Sequence, residues 1–310
     1  DYEFIELKNV ASTVLDLSGV AFTNGIDFTF PNGFVVEPGG FVVLARNSEL
    51  FHNRYPTVAL DGVYTGSLNN GGERLTLVHA SGETILTFQY DDAQPWPLTA
   101  DGQGFSLVPM QTAQVHDQNQ AISWRSSSGI TGSPGRDDTL IKIPQVLITE
   151  ILTHTDLPQV DAVEIFNPSD LEADISGWLL TDDKDFPSKY VFPTGTRIPS
   201  EGYLVVSESD FNPTPGVDPS FTFSSFGESV FLFSADSLGI LTGYSQGFDF
   251  DASANGISFG QYITSQGDTH YPPQNQLTLG APNTEPLVGP LVINEIGYAS
   301  NGVSPEFLEL

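Results

Sequence analysis

The chain has 310 residues, 39% of them hydrophobic, which fits about two globular domains with cores of their own and excludes a disordered polypeptide. Asp and Glu number 39 against 10 Lys and Arg; the formal net charge of −29 repels nucleic-acid phosphates and anionic membrane surfaces, and leaves cations, neutral glycans and other proteins as partners. Without cysteine there is no disulfide and no Cys-based zinc site, no apolar run reaches the ~18 residues of a spanning helix, and the acidity with 22 Phe and little Lys favours an extracellular or cell-surface setting.

In chain order, the first copy of a repeated unit is expected over 1–136, opening on Glu3–Leu7 (EFIEL) and continuing through Leu17-Ser18-Gly19, Phe30-Pro31 and an apolar run at 41–45. A short linker follows at 137–144, then a complete second copy over 145–284, a second linker at 285–290 and the opening of a third copy over 291–310. Landmarks recur in order: Ile175-Ser176-Gly177 answers Leu17-Ser18-Gly19, Phe192-Pro193 answers Phe30-Pro31, and Gly227-Glu228 answers Gly72-Glu73. Further on, Gly256-Ile257-Ser258-Phe259 answers Gly104-Phe105-Ser106-Leu107, and Gly280-Ala281-Pro282 answers Gly132-Ser133-Pro134. The tail LVINEIGYASNGVSPEFLEL at 291–310 repeats VLITEILTHTDLPQVDAVEI at 146–165, setting Glu295 on Glu150 and Glu309 on Glu164 at an offset of 145. The opening DYEFIEL matches SPEFLEL at 304–310, so the first copy is expected to lack the strand that 291–298 represents.

Short β-branched and aromatic runs at 41–45, 74–78, 203–207 and 230–233 are bounded by turn signals such as Asn24-Gly25, Asn32-Gly33, Asn70-Gly71, Ser81-Gly82 and Asn255-Gly256, and read as strands. Consecutive apolar positions suggest strands central to a sandwich, sealed on one side by the facing sheet and on the other by loops or a neighbouring domain. The runs 41–44 and 203–206 are expected in equivalent central strands. Only 47–55 and 208–211 read as helical, each a single turn begun by an Asn, Ser or Asp cap. The fold class is therefore all-β, as tandem immunoglobulin-like β-sandwiches.

The order of an Asn-Glu-Ile or Thr-Glu-Ile strand, Glu-Phe-Ile-Glu-Leu, Leu-Ser-Gly-Val or Ile-Ser-Gly-Trp, the Pro-Gly-Gly-Phe-Val-Val-Leu strand and a terminal Ser-Pro-Gly resembles the lamin tail domain. Its bearers are Glu3–Leu7, Leu17–Gly19, Pro38–Leu44, Trp124 and Pro134-Gly135 in the first copy. In the second they are Thr149–Ile151, Glu164–Asn167, Ile175–Trp178, Gly202–Val206 and Pro282-Asn283. The resemblance implies an immunoglobulin-like sandwich without catalytic residues, used in bacteria as a module of secreted or surface proteins, sometimes beside enzyme domains.

Two constellations bear on chemistry. If their strands pair, Glu150 with Glu164 and Glu295 with Glu309 converge as carboxylate pairs of the kind glycosidases use. Because Val163 and Ile165 face the other way, however, Glu164 is expected to be solvent-facing or turn-bonded. The acidic positions Asp182, Asp183, Asp185, Asp249 and Asp251 are candidate calcium ligands, although none follows the EF-hand spacing. The five histidines show no ligand spacing, nothing singles out a Ser–His–acid set, and no phosphate-binding loop or Asn-x-Ser/Thr sequon occurs.

No enzyme is expected. The chain reads as a structural or adhesive segment of a secreted or cell-surface repeat protein, assembled head to tail into a fibre whose partners are copies of itself or neighbouring domains of an array. Leu291, Val292, Ile293, Asn294, Glu295 and Ile296 form the candidate assembly strand. The alternative is a non-catalytic glycan- or ligand-binding accessory module of a larger extracellular enzyme. No cofactor is required by either reading, with calcium a possible ligand.

Overall fold

The computed structural model describes residues 2–110, 117–217, 219–289, 293, 295–297 and 307–309. In the first unit a sheet of Phe4–Lys8, Phe41–Ala45 and Gly62–Val63 faces a five-stranded sheet ordered Thr84–Tyr90, Glu73–Val78, Ala21–Asn24, Ile26–Thr29 and Thr65–Gly66. Val20, Phe22, Ile26, Phe30, Val42, Leu44, Tyr64 and Leu77 fill the space between them. In the second unit Tyr203–Ser207, Ala162–Phe166, Leu147–Leu152 and Phe259–Gly260 form one sheet, and Tyr190–Val191, Leu179–Thr181, Gly227–Ala235 and Leu241–Asp251 the other. Its core is larger and more aromatic, with Trp178, Phe192, Phe211, Phe221, Phe223, Phe248 and Phe250 buried among Val and Ile side chains. Each such side chain contributes about 1.5–3 kcal/mol on leaving water. Among the described residues no strand of one unit pairs with a strand of the other.

The two units share their register at the opening strands. Ile5 pairs with Leu44 and Glu6 with Val43, while Val163 pairs with Val206 and Glu164 with Val205. A buried asparagine closes the same strand end in both: Asn9 Nδ2 donates to the Thr13 and Val36 carbonyls, and Asn167 Nδ2 to those of Leu171, Ile198 and Pro199. The expectation of equivalent central strands holds only for the first unit. Among the described residues Tyr203–Ser207 lies at the edge of its sheet with Ala162–Phe166 as its one neighbour, and Val205 is 39% exposed there.

Consecutive burial has a different cover in each place. Val42 and Leu44 enter the sandwich core, whereas Val43 and Ala45 lie beneath Phe51 and Tyr55 of the Ser48–Arg54 helix. That helix is two turns rather than one; Asn47 caps it by accepting the Leu50 N–H at 3.0 Å, and Pro56 follows its end. Glu208–Phe211 is the single turn expected, closed by a capping box between Ser207 and Asp210. Phe231 and Phe233 of the second unit point away from their own core, and Leu98 of the first unit covers them together with Leu179 and Ala235. Around that contact the Leu98 N–H donates to Ser245 Oγ at 3.1 Å, Thr99 Oγ1 donates to the Gly243 carbonyl at 2.9 Å, and Lys184 pairs with Asp101. Gly243 has φ +104°, and a methyl group there would lie 3.0 Å from the Ser127 carbonyl, so only glycine permits the approach.

At the far end Glu295–Gly297 pairs antiparallel with Phe307–Glu309, with Glu295 opposite Glu309, Ile296 opposite Leu308 and Gly297 opposite Phe307. The second unit opens the same way: Glu150 opposite Glu164, Ile151 opposite Val163 and Leu152 opposite Ala162. A 145-residue repeat in sequence is thus a repeat in strand register.

Candidate functional site

Glu150 and Glu164 are both 0% exposed. Alternation along the strand does turn Glu164 away from Val163 and Ile165, but that second face is covered by the 274–284 segment, so of the two expectations, solvent-facing or turn-bonded, the second holds and the side chain is buried. Glu150 accepts hydrogen bonds from Ser258 Oγ at 2.5 Å, the Thr278 N–H at 3.0 Å and Thr278 Oγ1 at 2.8 Å. Glu164 accepts from Thr149 Oγ1 at 2.7 Å and from the Gly280 N–H at 2.5 Å. Asn283 Nδ2 completes the strap by donating to the carbonyls of Thr149 and Gln261. Burial pushes the Glu164 carboxyl up; its bonds from Thr149 and Gly280 work against that, and the neighbouring Glu150 charge adds to it. Two carboxylates wholly enclosed by donors of their own fold have no face for a sugar, so the pair is a latch for the 274–284 segment rather than a glycosidase dyad.

The first unit has half of this arrangement. Glu6 occupies the position of Glu164 and accepts the Gly135 N–H, and burial pushes its carboxyl up to about 7. Nothing corresponds to Glu150, because Phe4–Lys8 is the edge of its sheet among the described residues. The strand is half-buried along its whole length, whereas Ala162–Ile165 is buried throughout. In the second unit Leu147–Leu152 stands between Ala162–Phe166 and Phe259–Gly260. The repeat counterpart of Phe259 is Leu107, in the Leu107–Pro109 strand, which among the described residues pairs only with Trp124–Ser126. Between Phe4–Lys8 and Leu107–Pro109 no described strand stands. Of the candidate assembly strand, Ile293 is 58% exposed and Ile296 55% exposed, and Glu295–Gly297 is a strand of the terminal hairpin; Leu291, Val292 and Asn294 lie outside the described residues.

A two-sandwich chain whose glutamate-bearing strands recur in one register matches the family model of the lamin tail domain over residues 1–92 and 141–256. The chain belongs to the lamin tail domain family. No curated protein and no solved structure is similar enough to match it. Lamin tail domains are immunoglobulin-like and non-catalytic as a fold family, compatible with a structural or an accessory module.

The acidic loops of the second lamin tail unit are engaged by its own groups. Asp182 pairs with Lys189 at 2.5 Å, Asp183 Oδ1 accepts the Asp185 N–H at 2.9 Å, and Asp249 Oδ1 accepts Ser229 Oγ at 2.6 Å. Asp251 ends its strand, exposed, opposite Gly227. Among the described residues no three His, Asp or Glu side chains converge as a metal site. Calcium bound at a hundred times its Kd would add about 2.7 kcal/mol to stability. We expect no upward shift of that size when melting curves in calcium and in chelator are compared; such a shift would reinstate these aspartates as ligands.

Proposed function

We propose that this lamin tail chain is a structural element of an extracellular or cell-surface array, joined head to tail with other copies of itself by strand addition. In the joint, Glu295–Gly297 of one copy leaves its own Phe307–Glu309 and runs antiparallel along Phe4–Lys8 of the next, as Leu147–Leu152 runs along Ala162–Phe166 inside the second unit. The observation that carries the reading is the register: Glu295 stands opposite Glu309 as Glu150 stands opposite Glu164, and Glu6 is the third bearer of that position, on a strand that is the edge of its sheet among the described residues. An exposed edge strand is a template for an added strand. A head-to-tail contact is heterologous and does not close on itself, so it propagates. The acidic, Phe-rich and Lys-poor composition supports a surface setting.

The absence of native cysteine makes a direct test clean. Ile296 is the register partner of Leu308 in the terminal hairpin, and Leu308 is the repeat counterpart of Ile5. The double variant Ile5→Cys, Ile296→Cys is expected to give a ladder of covalent multimers on a non-reducing gel, and electron microscopy of the unsubstituted chain is expected to show fibres. A chain that stays monomeric at every concentration tested, or a cysteine pair that closes only within one molecule, overturns the proposal.

A further inference from the structure

Beside Glu150 lies a buried carboxamide. The strand register sets Glu150 opposite Gly260, and a methyl group at Gly260 would lie 2.0 Å from Nε2 and 2.2 Å from Cδ of Gln274. The side chain that Gly260 lacks is therefore the room that Gln274 fills. Gln274 is 2% exposed, and its backbone N–H donates to the Ser258 carbonyl at 2.8 Å. Its side-chain oxygen accepts the Thr284 N–H at 2.9 Å, which fixes which end of the amide is oxygen. The other end, Nε2, is buried without a hydrogen-bond partner among the described residues, an arrangement that burial penalises.

The Thr278 hydroxyl stands between this amide and the acid. It donates to Glu150 Oε2 at 2.8 Å and lies 3.5 Å from Gln274 Oε1, next to the carbonyl carbon. Ser258 Oγ and the Thr278 N–H hold the other oxygen of Glu150, so the carboxylate is aimed at the hydroxyl. A hydroxyl bonded to a carboxylate, a carbonyl beside it and an N–H on the carbonyl oxygen are the parts of an acyl transfer. Thr284 Oγ1 also approaches Gln274 Oε1, at 3.4 Å, but its other contacts are the N–H and carbonyl of Gln276, and neither is a base.

We propose that Thr278 and Gln274 join as an intramolecular ester, formed once by the folded chain with Glu150 as the base. Thr278 Oγ1 attacks Gln274 Cδ while its proton passes to Glu150 Oε2, and the Thr284 N–H holds the oxyanion that develops on Oε1. The Cδ–Nε2 bond then breaks, Glu150 returns the proton to the nitrogen, and one ammonia leaves. Burial keeps water, the competing nucleophile, away from the carbonyl, and the departing ammonia takes with it the nitrogen that had no partner. The product closes a ring from Gln274 to Thr278 and fixes the segment that straps Glu150 and Glu164. The site belongs to the second unit alone: counted back from Gly132, the counterpart of Gly280, Ile130 stands for Thr278 and Ser126 for Gln274.

Intact-mass spectrometry of the full chain, folded and held at neutral pH, is expected to show a species lighter than its sequence by one ammonia. Fragmentation is expected to place the loss within Gln274–Thr278, and hydroxylamine to open the ester. Thr278→Ser keeps a hydroxyl and is expected to keep the loss. Thr278→Val keeps the shape without the hydroxyl, Glu150→Gln removes the base, and each is expected at the full mass of its own sequence. Melting curves establish that the variants are folded; a purely structural role for these residues would move the melting temperature and leave every mass at its sequence value. A wild type at full sequence mass overturns the ester. So does a loss that persists in Thr278→Val, and, should that variant fail to fold, a loss that the wild-type fragments place outside Gln274–Thr278.

Discussion

Glu164→Ala is expected to destabilise the second unit by about 2–6 kcal/mol, because it leaves two buried donors, the Thr149 hydroxyl and the Gly280 N–H, without an acceptor at ~1–3 kcal/mol each. Chemical denaturation of the full chain measures it, and a variant within about 1 kcal/mol of the wild type would remove the latch role. Glu164→Gln keeps the shape and one acceptor oxygen, so its cost is smaller and its value lies in the pH dependence. A carboxyl raised in the folded state binds its proton more tightly there than in the unfolded chain. The stability it contributes is present below the unfolded value of 4.5 and is lost as pH rises through the raised one. Burial raises Glu6, Asp161 and Glu228 as well, so they act with the same sign. The carboxyls held low by hydrogen bonds, Asp16, Asp117, Asp138 and Asp174, have titrated in both states by about pH 5. The wild type is therefore expected to lose stability between pH 5 and pH 8, and Glu164→Gln to lose less. A wild type that gains stability over that interval contradicts the assignment.

What the sequence conveyed and what it withheld divide along the distance over which a residue is determined. The repeat offset carried the strand register, since a strand that recurs with its neighbours must pair as they do. Asn47 and Ser207 announced their helices because a cap is decided within four residues. Consecutive apolar residues at 230–233 announced that a second face was covered, and that cover is Leu98 of the first unit. The burial of Glu164 was not legible: alternation says which way a side chain points, and the segment lying over it comes from 116 positions away at Gly280. The acidic positions at 182–185 are only candidate cation ligands by sequence, and the charge that meets one of them, Lys189, joins Asp182 only through the turn between them. The asparagines Asn9 and Asn167 went unread as strand-end clamps, although their shared place after the two glutamate strands was a usable signal. The edge position of Tyr203–Ser207 had no local signature, since its residues are as apolar as those of its better-covered counterpart.

Leu98→Ala is expected to uncouple the two units at a cost of about 2–5 kcal/mol, the range for truncating a leucine from a packed apolar site. Leu98 is 4% exposed against Leu179, Phe231 and Phe233. In the wild type the contact ties the smaller core of the first unit to the larger core of the second, and calorimetry is expected to record one transition. In the variant the first unit is expected to melt earlier as a transition of its own, and protease is expected to cut the 137–144 linker faster. A second variant reaches the same contact from the other side: Gly243→Ala places a methyl group 3.0 Å from the Ser127 carbonyl at a φ that glycine alone tolerates readily. If both variants melt as the wild type does, the contact is incidental. The interface is also particular to this joint. The positions of Leu179, Phe231 and Phe233 correspond in the first unit to Ala21, Thr76 and Val78, and the Thr76 hydroxyl lies on an exposed face 3.1 Å from that of Thr87. A preceding unit docking there would find a smaller and partly polar seat. In a head-to-tail array the joint within each chain is therefore clamped by side chains, and the joint between chains is held by the backbone hydrogen bonds of one added strand.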